Sequence, residues 1–423
     1  MNRLLIDVGA SSIKSVIQKN NFLDIETRYV TESFSTKYGD KFNPEIIIKE
    51  FINHVLKQYD SFSFKEIWIC SEMHNFTLFD IKTKKYSDFY SWRYISKKSD
   101  SIKSKLLKFN NNHHEISGQT LLQGIPIINL SEALKKNSSQ RFLTLPELIV
   151  HKYGECNNKV HDTMAASSGL LNIKNKNWLI DDLSNIYPNV SFILPDIFDD
   201  NEIPLIGKIK IKDNSINVFG GFGDLQTALF GTGILKDEIC INIGTGSQII
   251  AINNQKSDYS NKFDIKPFFG KYIKAITHIP AGRSFNFINN EICNDKNFWS
   301  SLNKTKKTLN DDYIPEFNLN IFKSNWRYDI HNKNNILNSY KNNSRFYEVL
   351  LKTFCEEYLI AIKKLDPSRK NRNLVLSGGK LKDIFYVKSF FENLGSYSVK
   401  IKNDDLLLDE TLIGLNMLTK IYN

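Results

Sequence analysis

Short apolar runs that end in small-residue turns recur along this chain. Residues 3–8 and 13–18 predict two β-strands joined by the turn Gly9-Ala10-Ser11-Ser12. Two further apolar runs, on either side of Gly244-Thr245-Gly246, repeat the order of strand, glycine turn and strand. Such a repeat predicts an internal duplication, and with it a chain of two similar halves.

Helical spacing of apolar residues marks other segments. Residues 44–59 predict a helix that Asn43 caps. A second helix is predicted over 346–362, and it leads into a strand at 374–376. The segment 303–345 is rich in Asn and Lys and poor in apolar residues, which predicts loops and short helices.

Length and composition indicate a two-domain protein. With 423 residues, of which 41% are hydrophobic and 24% charged, the chain can form two separate cores. We predict domains over residues 1–233 and 234–423. The net charge of +10 is spread among many asparagines rather than gathered in one run, so we expect an anionic small molecule and not nucleic acid as partner.

The remaining composition bears on location. Five cysteines lie far apart, without metal-ligand spacing, and are expected to be reduced thiols. Met1 leads directly into an apolar strand, and no apolar run approaches the roughly 20 residues of a membrane span. We therefore expect a cytoplasmic protein without a membrane partner, as a monomer or homodimer.

The first turn has the composition of a phosphate site. Gly9 lets the backbone approach a ligand, while the hydroxyls of Ser11 and Ser12 and the turn's N–H groups can face phosphate oxygens. Asp7 can hold a hydrated Mg²⁺, and Lys14 could reach a terminal phosphate. Taken alone, the segment could equally be an ordinary polar hairpin.

Two glycine turns of the second half extend this interpretation. Gly244-Thr245-Gly246 repeats the first turn, and Gly378-Gly379-Lys380 follows a strand in a form that lets a flat ring lie against the backbone. Either could be a plain connection by itself. Together with the first turn they indicate a site for a nucleotide.

Gly-Gly-Phe-Gly-Asp at 220–224 supplies a candidate general base. Asp224 would lie on a glycine-cleared surface at the start of a helix predicted over 226–230. An Asp after glycine is often only a turn residue or a helix cap. Beside two phosphate turns, however, it is the carboxylate that phosphoryl transfer to a hydroxyl requires.

These segments together resemble the FGGY carbohydrate kinases of the actin-like ATPase superfamily. Residues 7–14 are similar to that family's Asp-x-Gly-x-x-Ser-x-Lys phosphate loop, and 244–246 to its second phosphate loop. Residues 378–379 resemble the adenosine motif, and 220–224 the segment that ends in the catalytic aspartate. The resemblance implies an α/β fold of two actin-like (ribonuclease H-like) domains, each a five-stranded mixed sheet flanked by helices. ATP, Mg²⁺ and a sugar would bind in the cleft between them.

The sugar side matches the family less well. Glu72-Met73-His74, between predicted strands, resembles its Gln-Met-His sugar loop, with Glu72 in place of glutamine. The family's Trp-x-Asp-x-Arg pattern is not conserved in full, because Trp92 and Arg93 are adjacent. Whether the pattern is aligned on Trp92 or on Arg93, no aspartate stands at its carboxylate position. We hypothesise that Glu72 replaces that carboxylate, with Arg93 as a donor. His74 as a packing residue and Trp92 as a core aromatic remain alternatives.

Weaker similarities complete the interpretation. Residues 163–170 resemble a further stretch of the family, and Asp409 with Gly414 its closing Glu-x-x-x-x-Gly helix. Residues 278–283 are most similar to the sedoheptulose-kinase-like branch, which implies a ketose substrate, with a heptulose or pentulose favoured. Two other functions stay open: a non-catalytic sugar or nucleotide sensor, and an actin-like ATPase with a protein partner.

Overall fold

The computed structural model describes most of the chain. The described residues are 2–9, 12–19, 22–23, 27–29, 39–135, 138–244, 246–253, 263–305, 345–371, 373–401 and 409–422. Ser11 and Thr245 of the predicted phosphate turns lie outside them, as do the side chain of Lys380 and residues 306–344.

The strands of the described residues, in chain order, are β1 (Asn2–Val8), β2 (Ile13–Lys19), β3 (Phe22–Leu23), β4 (Thr27–Tyr29), β5 (Lys41–Phe42), β6 (Glu66–Ser71), β7 (Thr77–Asp80), β8 (Lys85–Tyr86), β9 (Phe89–Tyr90), β10 (Ser138–Leu143), β11 (Gly154–Cys156), β12 (Lys159–Val160), β13 (Leu171–Asn172), β14 (Asn177–Trp178), β15 (Val190–Ile193), β16 (Asp196–Ile197), β17 (Leu205–Ile211), β18 (Asn214–Gly223), β19 (Glu238–Ile243), β20 (Gly246–Asn253), β21 (Asp264–Phe268), β22 (Lys271–Pro280), β23 (Asn373–Gly378) and β24 (Ser398–Ile401).

The α-helices of the same residues are α1 (Glu45–Ser61), α2 (Ser99–Phe109), α3 (His113–Ser117), α4 (Pro126–Ala133), α5 (Leu145–Tyr153), α6 (Asp162–Ser167), α7 (Ile180–Ile186), α8 (Asp224–Thr232), α9 (Gly282–Ile288), α10 (Phe298–Lys304), α11 (Phe346–Leu365), α12 (Phe385–Glu392) and α13 (Glu410–Ile421). A π-helical turn (Asn289–Cys293) follows α9, and a 3₁₀ turn (Lys380–Asp383) precedes α12. Across the described ranges, no helix combines the length and apolarity that crossing a bilayer requires.

Two large mixed sheets organise these elements. The first has eight strands in the order β11-β17-β18-β6-β1-β2-β3, with β4 also paired to β2. The second has six, in the order β21-β22-β20-β19-β23-β24. β1 runs antiparallel to β2 and parallel to β6, and β19 likewise runs antiparallel to β20 and parallel to β23. The predicted repeat of one strand-turn-strand unit is therefore confirmed.

The predicted α/β fold class is also confirmed, with one correction. Both sheets exceed the five strands that were expected, because hairpin strands extend their edges. β17 and β11 continue the first sheet beyond β18, and β21 continues the second beyond β22. The helix predicted after Asn43 is α1, and the amide of Glu45 donates a 2.9 Å hydrogen bond to Asn43 Oδ1.

The last helix returns to the first sheet, where α13 contacts β1, β2 and β6 as well as α8. The α8–α13 crossing tolerates only glycine: a Cβ on Gly231 would lie 2.0 Å from the carbonyl oxygen of Glu410, and one on Gly414 2.0 Å from that of Thr227. The chain thus leaves the first sheet through α8 and comes back against the same helix. The domain boundary at 233/234, just after α8, stays a prediction.

The two halves are also joined through a shared core. Met164 and Ala165 of α6 belong to the same hydrophobic cluster as Ile241 and Ile249 of the second sheet. The amide of Ile265 in β21 donates to the carbonyl oxygen of Gly118 at 2.7 Å. Residues of the first half therefore pack directly on the second sheet.

Replacing Gly414 by Ala is expected to destabilise the protein, although Ala normally favours a helix by roughly 0.5–1 kcal/mol over Gly. The added methyl would force α8 and α13 apart, and overpacking of this kind costs about 3 kcal/mol. The free energy of unfolding in denaturant measures this loss. Gly233→Ala is the control, because no atom of the described residues lies within 4 Å of a Cβ there, and the left-handed backbone adds about 1 kcal/mol of strain. Equal losses in both variants would contradict the role of the crossing.

Candidate active site

A cleft of about 1260 Å³ is lined by both halves of the chain. The predicted residues that line it are Asp7, Gly9, Ser12, Lys14, Asp224, Gly244, Gly246, Gly378 and Gly379. These residues come from three glycine turns and one helix start that are far apart in sequence. The structure thus brings Asp7, Lys14, Asp224 and the described residues of the three glycine turns named above to one cavity.

The two phosphate turns are closed by their own amides. The N–H of Gly9 donates to the carbonyl oxygen of Ser12 at 3.0 Å, and the N–H of Gly244 to that of Gly246 at 3.0 Å. The expectation that the turns' amides face phosphate therefore needs correction at these two positions. Their hydrogen bonds hold the shape of the turns, and the turns present other atoms to the cleft.

Gly378 joins the third turn to the second. Its φ is +93°, and a Cβ there would lie 2.8 Å from the carbonyl oxygen of Ile243. The amide of Gly379 donates to that same oxygen at 2.7 Å. A side chain at Gly378 would therefore both strain the backbone and separate the turn from the end of β19.

A charge network closes the floor of the cleft on the first sheet. Lys14 Nζ lies 3.2 Å from Asp7 Oδ2 and 2.8 Å from Asp409 Oδ2. The Thr411 hydroxyl is 2.9 Å from Asp7 Oδ2 and 2.7 Å from Asp409 Oδ1. Burial by itself lowers the pKa of Lys14, but the carboxylates of Asp7 and Asp409 more than offset this and raise it, so Lys14 is a permanent cation.

Asp7 has the properties of a Mg²⁺ ligand. It is 3% exposed, and its Oδ1 accepts no hydrogen bond from the residues that the structure describes. Those residues contain no group of three or more His, Cys, Asp or Glu side chains able to hold a metal. One carboxylate oxygen at the cleft fits an ion that keeps most of its waters and binds through phosphates, as Mg²⁺ does.

Asp224 is the first residue of α8 and directly follows β18. The pairing of β18 with β6 shifts register between Gly220 and Phe222, forming a bulge. A Cβ at Gly220 would lie 2.6 Å from the carbonyl oxygen of Ile69, and one at Gly223 would lie 2.9 Å from Met73 Sδ. The glycines therefore make room for the protein's own atoms, and not for a ligand as the sequence suggested.

The Asp224 carboxyl group sits in an unfavourable place for a charge. Burial raises the pKa of Asp224 most, the negative charge of Asp7 raises it further, and the result is a pKa of about 7. The amide of Leu225, which donates a 2.8 Å hydrogen bond to Asp224 Oδ1, opposes this rise. A carboxylate whose pKa lies near neutrality can accept a proton and release it again. That is the behaviour expected of a general base.

The predicted sugar-side residues form a second group beside Asp224. Glu72 is 5% exposed, and its charge contributes to the raised pKa of Asp224. Arg93 Nη1 lies 4.0 Å from Glu72 Oε2, and its guanidinium lies 4.5 Å from the ring centre of Trp92. Burial raises the pKa of Glu72 to about 7, while the charge of Arg93 opposes the rise.

Met73 and His74, the other predicted sugar-side residues, make packing and hydrogen-bond contacts within the protein. Met73 is buried in the core that joins the halves, with its sulfur against Gly223, so it supports the Asp224 segment by packing. His74 has a φ of +60° and is held by Ser167: its amide is 3.2 Å from Ser167 Oγ, and its Nδ1 is 2.7 Å from the Ser167 carbonyl oxygen. Met73 thus packs against the Asp224 segment, and the assignments of Met73 and His74 as substrate contacts stay predictions.

The segment 278–283 approaches the same group from the second half. The rings of His278 and Trp92 are 6.3 Å apart. Arg283 interacts electrostatically with Arg93 and Asp40. The group around Trp92 and Arg93 is therefore built from both halves, as the cleft lined by the glycine turns is.

Several cleft residues were not predicted from the sequence. They are Leu225, Ala228, Asn242, Ile243, Gln248, Gly282, Asn286, Trp299, Ser300, Asn303, Leu381, Glu410 and Thr411. Thr411 had a local signal, because Asp409 caps α13 and accepts its amide. The polar side chains of β19, α9 and α10 had none, since only the packing of those elements turns them toward the cleft.

The chain is similar to known proteins in structure and not in sequence. No protein-family model and no curated protein matches the sequence. A xylulose kinase structure from Lactobacillus acidophilus is similar over 99% of this chain and 89% of its own, with 17% identity and a TM-score of 0.74. A gluconate kinase from the same organism covers 100% and 89%, with 16% identity and a TM-score of 0.74. A Plasmodium falciparum glycerol kinase with ADP covers 100% and 90%, with 15% identity and a TM-score of 0.70.

The chain has the two-domain, actin-like fold of carbohydrate kinases. At 15–17% identity, this similarity shows the fold alone. Structures of xylulose, gluconate and glycerol kinases do not single out the sedoheptulose-kinase-like branch, so that assignment stays a prediction.

The raised pKa of Asp224 predicts a pH-dependent stability. Because the folded-state pKa of about 7 exceeds the ordinary aspartate value of 3.8, the folded state binds the proton more tightly, and stability falls as pH rises from 3.8 to about 7. Asp224→Asn should therefore raise the thermal midpoint at pH 8, and this gain should shrink toward pH 4. Asp181→Asn, at an exposed first-turn position of α7, is the control and should show no such trend. A gain for Asp224→Asn that is equal at all pH values would contradict the raised pKa.

Proposed function

We propose that the protein is an ATP-dependent carbohydrate kinase that transfers the γ-phosphoryl group to a hydroxyl of a ketose or a related sugar. The observation that carries this proposal is the position of Asp224. Its carboxyl group, with a pKa of about 7, lines the same cleft as the three glycine turns and lies within electrostatic reach of Glu72. A general base between a nucleotide site and a polar acceptor group is the arrangement that direct phosphoryl transfer needs.

The proposed nucleotide site uses the phosphate side of the cleft. The phosphates would lie along the turns at Gly9 and Gly244, beside the cation of Lys14. The nucleobase would lie near Gly379, where Trp299 and Leu381 line the cleft. Asp7 would hold Mg²⁺, which neutralises phosphate charge when it is bound.

The proposed reaction is a single displacement. Asp224 accepts the proton of the acceptor hydroxyl as that oxygen forms its bond to the γ-phosphorus, and the bond from that phosphorus to the bridging oxygen of ADP breaks. Glu72, Trp92 and Arg93 would hold the other hydroxyls of the sugar. Because the pKa of Glu72 is about 7, its carboxyl group is present in both the protonated and the ionised form at pH 7, and it can donate as well as accept hydrogen bonds.

A coupled ADP-release assay over pentuloses, hexuloses, heptuloses, polyols and sugar acids tests the function. We expect one acceptor class to stimulate ADP release, and Asp224→Asn to lower kcat by roughly 10² to 10⁴-fold. ATP binding, measured by calorimetry, should change little. ADP release that depends on a protein partner would favour the ATPase alternative, and ligand binding without ADP release would favour the sensor. Near wild-type turnover by Asp224→Asn would reject the assignment of the base.

Glu72 offers a separate test of the acceptor side. Glu72→Ala should raise KM for the acceptor by roughly 10- to 100-fold, because the sugar would lose a hydrogen bond to a group that can carry charge. The KM for ATP should stay close to that of wild type. Glu72→Gln, which keeps a donor and an acceptor, should recover part of the loss. Equal increases of both KM values would exclude a specific role in sugar binding.

A further inference from the structure

The short helix α6 lies between the two catalytic segments of the proposed site. All six of its residues, Asp162–Ser167, are buried, and none of the groups that line the cleft belongs to it. Its first turn contacts the segment before Asp224, and its last residue contacts the loop of Glu72 and His74. The helix therefore lies outside the cleft, but it contacts both sides of the proposed site.

The first turn of α6 holds the residue before Asp224. The amide of Gly223 donates to Thr163 Oγ1 at 3.1 Å. Thr163 Oγ1 also lies 2.9 Å from His161 Nδ1, which caps the helix by accepting the amide of Thr163 at 3.3 Å. Thr163 Oγ1 therefore accepts the Gly223 amide and lies directly beside the ring of the capping His161.

The histidine cap adds a second contact to this segment. The rings of His161 and Phe222 meet edge to face, 4.7 Å apart at 85°. Phe222 and Gly223 are the two residues directly before Asp224. Thr163 of α6 and its cap residue His161 thus add one hydrogen bond and one aromatic contact to the end of β18, which also pairs with β6.

The last residue of α6 holds the acceptor loop. Ser167 accepts the His74 amide through Oγ and the His74 ring Nδ1–H through its carbonyl oxygen. The φ of +60° at His74 is a conformation that non-glycine residues rarely adopt, and it persists only where neighbouring contacts hold it. The Ser167 hydroxyl itself donates to the carbonyl oxygen of Met164 at 2.7 Å, which orients it.

We propose that α6 is a positioning element that sets the distance between the general base and the acceptor loop. Thr163 acts on Asp224 through Gly223, and Ser167 acts on the acceptor through His74. Both are positioning residues, since neither lines the cleft. This inference rests on the proposed kinase function, and it predicts different kinetic effects from the two ends of one helix.

Three variants and one control test it. Thr163→Val, which keeps the side-chain shape and removes the hydroxyl, should lower kcat about tenfold with little change in either KM, since a small displacement of a base slows the chemical step. Thr163→Ser should restore most of the rate. Ser167→Ala should mainly raise the acceptor KM. Ser168→Ala is the matched control, because the Ser168 hydroxyl is buried on the same chain segment and, among the described residues, bonds to Ala165 and Leu170.

The control should keep wild-type kcat and KM even if its thermal midpoint falls. Equal kinetic losses in Thr163→Val and Ser168→Ala, or a Thr163→Ser variant as slow as Thr163→Val, would reduce α6 to a packing element. The same kinetic pattern for Ser167→Ala and Thr163→Val would overturn the division of roles.

A titration separates this inference from the proposed function. The carboxyl signal of Asp224 can be followed by carbon NMR, with Asp224→Asn used to assign it. Thr163→Val should shift the titration midpoint of Asp224, while Ser168→Ala should leave it unchanged. If the wild-type protein phosphorylates no sugar, a shift confined to Thr163→Val still supports the positioning of Asp224, and an unchanged midpoint overturns it.

Discussion

The crossing of α8 and α13 is the contact on which the cleft depends. Gly231 and Gly414 let the two helix backbones touch, since a Cβ at either would lie 2.0 Å from a carbonyl oxygen of the other helix. α8 begins with Asp224, and α13 is capped by Asp409, which binds Lys14. One close crossing therefore fixes Asp224 relative to the turn that begins at Gly9, and it does so with the last helix of the described residues.

Burial of carboxyl groups is the second constraint. Asp224 and Glu72 are both held where ionisation is unfavourable, and burial raises the pKa of each to about 7. Lys14 and Arg93 supply compensating charge to different partners, Lys14 to Asp7 and Asp409, and Arg93 to Glu72. Burying these carboxyl groups lowers the stability of the folded state, but it also gives them pKa values at which they can exchange protons near neutral pH. Such shifted pKa values are common in catalytic centres.

Local pattern was sufficient for the strands and turns. The hairpins around Gly9 and Gly244 and the helices after Asn43 and Arg345 follow from apolar spacing, caps and glycine, which act within a few residues. The same reasoning misjudged the glycines at 220–223. Their neighbours are Ile69, Met73 and Glu147, which come from other parts of the chain, so no local pattern could show that they make room for protein and not for ligand.

The amino-acid pattern thus specified two α/β halves, their repeated hairpin and part of the set of groups that line the cleft. It could not specify the Lys14–Asp409 pair, which spans 395 residues, or the contacts of Thr163 with Gly223 and of Ser167 with His74. Those depend on how α6, α8 and α13 pack, because a side chain's partner across a domain is set by backbone placement in space. The proton affinity of Asp224 has the same origin, since burial and the charge of Asp7 act only once the chain has folded.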